Sequence, residues 1–255
     1  MTIKPANAQY LRIHHALATD LGAGRLLAGE RFPTERELAE RFGCTRVTLR
    51  QALQRLEAEG VIYRGHRRGW FVSPAPIAYD PTRVTGFMEY VSAQGREPRT
   101  ESLLAERRQA EPGLAARMGL DANAWVYHLE RRRWVDGRPV LLETNVLTEA
   151  WCPGLLDMPL GSSLTETLRQ RYQRVQARSE ITLKPCLLDD TQGQLLQLAS
   201  GSGGLMLERL CRDANGTAVE YDREYWRPDA VEIRLEVGPA QGSSLLGRLP
   251  ENSFQ

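Results

Sequence analysis

The spacing of apolar residues changes along this chain, and the changes divide it. In "QYLRIHHALATDL", Tyr10, Ile13, Leu17 and Leu21 recur every three or four residues, which predicts one amphipathic helix. A glycine-rich connector, "GAGRLLAGERFP", follows. "TERELAERF" then opens with Thr34 and, three residues on, Glu37. That pair can cap a helix reciprocally, with Leu38, Ala39 and Phe42 as its buried face. Gly43 suits the left-handed residue that ends such a helix. Thr45 caps a third helix, whose apolar contacts are Val47, Leu49, Leu53 and Leu56 and whose stop is Gly60. Two helices joined at Gly43-Cys44 make a helix-turn-helix. "VIYRGHRRGWFV" reads as a strand, a basic turn and a second strand, which together form a wing.

Beyond residue 73 the pattern shifts. "SPAPIAYDP" carries Pro74, Pro76 and Pro81, the composition of a semi-extended linker over 74–81. A separate domain is expected over 82–240, with a tail at 241–255. This domain holds a weak repeat: "LAARMGLDANAWVYHLERRRWVDGRPVLLE" is echoed by "LLQLASGSGGLMLERLCRDANGTAVEYD". Each copy reads short helix, strand, tight turn, strand. The turns are Asp136-Gly137 and Asn215-Gly216, residue types that tolerate positive φ. A further helix, "SSLTETLRQRY", is capped by Ser163 with Glu166 three residues later. Helices alternating with antiparallel hairpins give an α+β fold with a mostly antiparallel sheet.

Charge sharpens the division. The chain has 255 residues and a formal net charge of +1. Residues 1–73 hold 12 Lys and Arg against 7 Asp and Glu, and the remainder holds 21 against 25. A basic head on a mildly acidic body suggests a polyanionic partner for the head. Cys44, Cys152, Cys186 and Cys211 are scattered, with no Cys-x-x-Cys spacing, so free thiols are expected and no metal or other cofactor. No segment approaches the roughly 18 apolar residues of a membrane span, and the N-terminal segment lacks a signal-peptide block. A cytoplasmic protein without a membrane partner is expected.

The third helix poses a question of its own. Its first turn carries Arg46, Thr48 and Arg50 and no acid, although a helix N-terminus favours negative charge. In a helix-turn-helix the second helix leads into the DNA major groove with these residues. Thr45 and Thr48 suit phosphates, and Arg46 and Arg50 suit phosphates or a guanine edge. The alternative is the solvated face of an ordinary three-helix domain.

At this point "FPTERELAERFGCTRVTLRQALQRLEAEGVIYRGHRRGWFVS" closely resembles the DNA-binding segment of bacterial transcription factors of the GntR family. The resemblance implies that Arg36, Thr45, Arg46, Thr48 and Arg50 face double-stranded DNA, and that His66 and Arg67 of the wing approach the minor groove. The usual wing of that family reads like Gln-Gly-Lys-Gly-Thr. Here it is His66-Arg67-Arg68-Gly69-Trp70, so Arg67 stands at a glycine position and can reach into a narrow groove. Trp70 is expected to pack on its own domain. One head reads few base pairs, so a homodimer on a palindromic operator is expected.

In the second domain, residues 125–135 form the most informative strand. Side chains alternate faces, and the more apolar face holds Trp125, Tyr127, Leu129, Arg131, Arg133 and Val135. His128 falls on the opposite, polar face. Two buried arginines need anionic partners. Glu143, on the returning strand, is one candidate. A hairpin loop with an odd number of residues would set it opposite Arg131. The second partner is an internal carboxylate network, water at a sheet edge, or a small anionic ligand gripped in forked pairs.

"LERRRWVDGRPVLLET" and "GTAVEYDREYWRPD" resemble the UTRA effector domain of the HutC-like branch of the same family, which shares the fold of chorismate lyase. The resemblance implies that Arg131 and Arg133 grip an anion (phosphate, phosphonate or carboxylate) and that Glu143 takes a hydroxyl or amine. It implies too that Ser163 and the Thr85-Gly86-Phe87 segment add donors, and that Glu220 and Trp226 line the far wall. Trp226 stands where sugar-phosphate-binding members carry a Tyr. The expected function is a sequence-specific transcriptional regulator, a repressor released by a small anionic metabolite. An enzyme of chorismate-lyase-like fold and a DNA binder without effector are the alternatives. No Ser-His-Asp set, metal cluster or phosphate loop supports the enzyme.

Overall fold

The computed structural model describes residues 5–199 and 201–235; the expected tail at 241–255 lies outside them. The head is built as its pattern predicts. Helices α1 (Pro5–Gly22), α2 (Glu35–Phe42) and α3 (Arg46–Ala58) surround a core of Ile13, Leu17, Leu38, Leu49, Leu53 and Leu56. Both halves of the capping box form: Thr34 Oγ1 accepts from Glu37 N at 3.3 Å, and Glu37 Oε2 accepts from Thr34 N at 2.7 Å. Gly43 ends α2 at φ +56°. Strands β1 (Ile62–Gly65) and β2 (Gly69–Val72) form the wing, and Trp70 is buried in the same core. Val47 departs from expectation, being 69% exposed. It stands two residues from Leu49, about 200° round a helix with 3.6 residues per turn, so it cannot share the buried stripe.

The second half of the proline-rich segment is not free linker. Strand β3 (Ile77–Tyr79) pairs in parallel with β10 (Val231–Ile233), and Ile77 and Tyr79 are buried. Pro76 removes one donor, but Ile77 N still donates to Ala230 O at 2.9 Å. The apolar alternation beyond the proline is enough to make a strand.

Six strands form the main sheet: β4 (Pro98–Gln109), β5 (Trp125–Val135), β6 (Arg138–Thr148), β7 (Arg178–Leu187), β8 (Gly203–Arg212) and β9 (Ala218–Trp226). Their order is β4-β5-β6-β9-β8-β7, with every neighbour antiparallel. The weak repeat is therefore a pseudo-two-fold. β4, helix α5 (Pro112–Met118), β5 and β6 make one half. β7, helix α7 (Asp190–Leu195), β8 and β9 make the other, and they meet at β6 and β9. Asp136 and Gly137 take φ of +49° and +74° in a two-residue turn. In the second hairpin only Gly216 is left-handed, at +82°. Asn215 needs no positive φ, because Asp213 Oδ1 accepts from both Asn215 N and Thr217 N and shapes a longer loop.

One face of the sheet carries α5, where Ala115 and Met118 pack on Val126, Val146, Leu210 and Tyr221. His128 is buried on this covered face and bonds Arg108 and Glu130. The other face carries helix α4 (Phe87–Ser92), β3 and helix α6 (Leu164–Tyr172). Arg131 and Arg133 lie on that face, between these coverings.

The head is seated on the second domain through its wing. Ala199 N donates to Arg64 O at 3.1 Å and His66 N to Gln197 O at 3.3 Å. The Tyr63 ring lies under the guanidinium groups of Arg138 and Arg227, 4.2 and 4.4 Å from its centroid. Both arginines bond the buried Asp229, which also accepts from Ser73 Oγ.

Candidate nucleic-acid interface and ligand pocket

The exposed front of α3 carries Arg46, Val47 and Arg50. Thr45 caps the helix, its Oγ1 accepting from Thr48 N at 3.2 Å, and the two hydroxyls stand 3.0 Å apart. Arg50 pairs with Glu35 at 2.8 Å, and Trp70 Nε1 donates to the same carboxylate at 3.3 Å. Glu35 therefore holds Arg50 extended on the surface, where a phosphate or base edge can replace it. Arg36 is exposed one turn from Glu40. A cleft between α2, α3 and the wing is lined by Arg31, Arg50, Arg64, His66 and Arg67. Four guanidinium groups there face one acid, Glu35, a balance suited to a phosphate backbone. Arg31 and Arg64 went unread in the sequence, and Val47 was read as a core contact. The helical period alone places Val47 on the exposed front beside Arg46, where an apolar side chain can meet a thymine methyl. Arg67 adopts φ +53°, a left-handed conformation that costs an L-residue about 1–2 kcal/mol. The glycine usual at this position avoids that cost; Arg67 accepts it and projects a charge from the wing tip.

The second site is a cleft of about 550 Å³, counting its open mouth. Its floor is strands β5, β6, β9 and β8, and its rim is the segment before α4 and the start of α6. Arg131 and Arg133 are only 2% and 3% exposed. Glu143 stands opposite Arg131 in register, although the turn has two residues, not an odd number. A bulge at Val140, between the Arg133–Leu141 and Trp134–Pro139 pairs, supplies the missing residue. Glu143 Oε2 lies 3.1 Å from Arg131 and 2.7 Å from Arg133. Arg131 also donates twice to Asn145 Oδ1, at 3.0 and 2.5 Å, and Arg133 once to Thr100 Oγ1 at 2.5 Å. Burial alone would raise the pKa of Glu143, but the charges of Arg131 and Arg133 outweigh it and hold the carboxyl at about 2. Burial, aided by the like charge of Arg133, lowers Arg131 to about 10.

Thr85, Gly86, Phe87, Ser163 and Glu220 all line this cleft. Gly86 caps α4, and a Cβ there would strike the Glu89 carboxylate and come 2.5 Å from Ser163 Oγ. Ser163 Oγ accepts from Glu166 N at 3.2 Å as the cap of α6, so its proton points elsewhere. The Phe87 ring lies 5.1 Å from the Arg133 guanidinium carbon. Trp226 is not part of the wall. It is fully buried behind Tyr79 and reaches the cleft only through Glu224, to which its Nε1 donates at 2.7 Å. Tyr79, from β3, takes the place expected for it.

Sequence reasoning also missed Arg209, Asp222 and Glu224. Glu220, Asp222 and Glu224 recur at every second residue of β9, so period-two alternation alone would have grouped them. Burial pushes Glu224 up to about 7 and raises both Glu220 and Asp222, which lie against one another. Arg209 crosses from β8 to Glu224 at 3.7 Å and donates to Tyr79 Oη. No described helix is long and apolar enough to cross a membrane.

The chain matches the family described as bacterial regulatory proteins, gntR family, over residues 9–72, and the UTRA domain over residues 93–232. It is 30% identical over 210 residues to an uncharacterized HTH-type transcriptional regulator of Escherichia coli, YihL, covering 82% of this chain and 89% of that protein. It is 28% identical over 221 residues to the HTH-type transcriptional repressor NagR of Bacillus subtilis, covering 86% and 90%. The crystal structure of PhnF from Mycobacterium smegmatis is similar at TM-score 0.62 and 30% identity, over 89% of this chain and 99% of that one. With a basic helix-turn-helix head, an antiparallel-sheet body and relatives that regulate transcription along nearly its whole length, the chain belongs to the GntR family of bacterial transcriptional regulators and carries a UTRA effector domain; it is a regulator and not an enzyme.

Proposed function

We propose that this regulator is a cytoplasmic repressor that binds a palindromic operator as a homodimer and lets go when a small anion seats on Arg131 and Arg133. The observation that carries this reading is the shared carboxylate. Among the described residues, two buried guanidinium groups have one ion-pair partner between them, Glu143. A phosphate, phosphonate or carboxylate entering from the Ser163 side would supply the second in forked geometry. The name of the similar Bacillus protein, a repressor, supports repression. Both outer strands of the sheet, β4 and β7, leave apolar side chains exposed, Leu104 and Leu187 among them, which supports a dimer made by the second domain. Thr45, Arg46, Thr48 and Arg50 lead the recognition helix, with Arg36, His66 and Arg67 around it.

A seated anion reaches the head along β9. Glu224 holds Trp226, and Arg227, the next residue, bonds Asp229 beneath Tyr63 of the wing. Moving that seam changes how the two heads of a dimer are presented, which is the unequal binding of two states that allostery requires. Thermal unfolding across a panel of phosphorylated, phosphonate and carboxylate metabolites tests the seat. At least one should raise the melting temperature of wild type but leave Arg133→Ala unmoved. Equal shifts in both proteins would put the anion elsewhere.

A further inference from the structure

The cleft is not simply basic. Its three guanidinium groups, on Arg131, Arg133 and Arg209, face four carboxylates, on Glu143, Glu220, Asp222 and Glu224. Glu143 serves the first two arginines, and Glu224 serves the third. Among the described residues, Glu220 and Asp222 form no ion pair, although they are only 3% and 4% exposed. Each instead accepts from a neutral amide: Glu220 from Gln176 Nε2, and Asp222 from Asn145 Nδ2 at 2.5 Å. Arg209 Nε, in the same cleft, is buried with no hydrogen-bond partner. Carboxylates are costly to bury without an opposite charge, so the cleft is suited to a ligand that brings one.

We infer that the effector is a zwitterion, whose anionic end sits on Arg131 and Arg133 and whose ammonium end sits between Glu220 and Asp222. The inference rests on the anion seat proposed above and adds the second charge. The spacing is set by one side chain. Asn145 accepts from Arg131 with its Oδ1 and donates to Asp222 with its Nδ2, so the anionic and cationic seats stand one amide apart. A ligand with roughly two to four bonds between its ammonium nitrogen and the carbon or phosphorus of its anionic group fits that interval. Burial makes Glu220 and Asp222 hold protons more firmly than free carboxyls; the charge of Asp222 adds to the rise at Glu220 and that of Glu143 to the rise at Asp222, against the opposing charge of Arg209. An ammonium donates to both oxygens and removes the need for a shared proton. Cys211 adjoins the pair from β8, and the counterpart drawn from the two carboxylates is a nitrogen cation, which can donate to both at once.

O-phosphoethanolamine and propyl phosphate have matched length and phosphate, and differ in an ammonium against a methyl. Isothermal titration of the intact protein with each is the test. O-phosphoethanolamine should bind at least ten-fold more tightly. In Glu220→Gln and Asp222→Asn the advantage should shrink to about two-fold, while propyl phosphate binds as before. Equal affinity of the two probes for wild type would overturn the ammonium seat and leave the anion seat standing. Binding of neither probe would remove the anion seat, and the zwitterion with it. If both variants keep the full preference, the ammonium lies elsewhere and the assignment fails.

Discussion

Glu224 is the side chain whose chemistry folding changes most usefully for a test. It accepts from Trp226 Nε1 at 2.7 Å, lies 3.7 Å from Arg209, and is pushed by burial to about 7. A carboxyl whose folded pKa lies above its unfolded one stabilises the fold while it keeps its proton. That contribution is complete below the ordinary glutamate value of about 4.3 and is lost as pH rises through about 7. Glu143 runs the other way. Its contribution is present above the ordinary value and disappears only as pH falls toward 2. Glu224→Gln is neutral at every pH, so its melting temperature should fall less between pH 5 and pH 8 than that of wild type. Parallel curves for the two proteins would mean that Glu224 is ionised throughout. The residues legible in the sequence were those that a period could place. Arg131 and Arg133 sit two apart on an otherwise apolar strand face, and their burial followed from that. Trp226 has the same parity as Glu224, but its end of the face is covered by Tyr79, a contact across some 150 residues that no local pattern contains.

At the scale of elements, hydrophobic period and turn chemistry were enough for the three helices, the wing and both central hairpins. They failed where one residue decides. The Asp136-Gly137 turn was legible, yet the bulge at Val140 that aligns Glu143 with Arg131 was not. A one-residue slip would send Glu143 to the opposite face, and only the pairing itself reveals which register wins. Strand β3 was hidden for a different reason: prolines on both sides gave it a linker's composition. Its partner β10 lies at the far end of the described chain. If Ile77 were linker, truncating it would change nothing. Because it is buried against the second domain's core, Ile77→Ala should cost roughly 2–4 kcal/mol, the usual price of an emptied aliphatic site. Urea unfolding measures this, and an unchanged midpoint would return the segment to the linker.

At the scale of the molecule, two units of different charge and different period are joined through a seam of Tyr63, Arg138, Arg227 and Asp229. The division into head and body was readable from composition. The seam was not, because its members come from the wing, β6 and the end of β9, and each alone reads as an ordinary surface residue. This seam places the end of β9 against the wing of the DNA-binding head, and it is why occupancy of the cleft is expected to alter operator affinity. Coupling between such sites is typically about 1–3 kcal/mol, or roughly 5–150-fold in affinity. The direct measurement is fluorescence anisotropy of labelled promoter DNA, titrated with wild type and with Arg133→Ala, with and without each anion that stabilises wild type. The account predicts that an anion weakens wild-type binding by a factor within that range, while Arg133→Ala binds the DNA equally well in its presence and absence. An Arg133→Ala protein that releases DNA at the same anion concentration as wild type would contradict it.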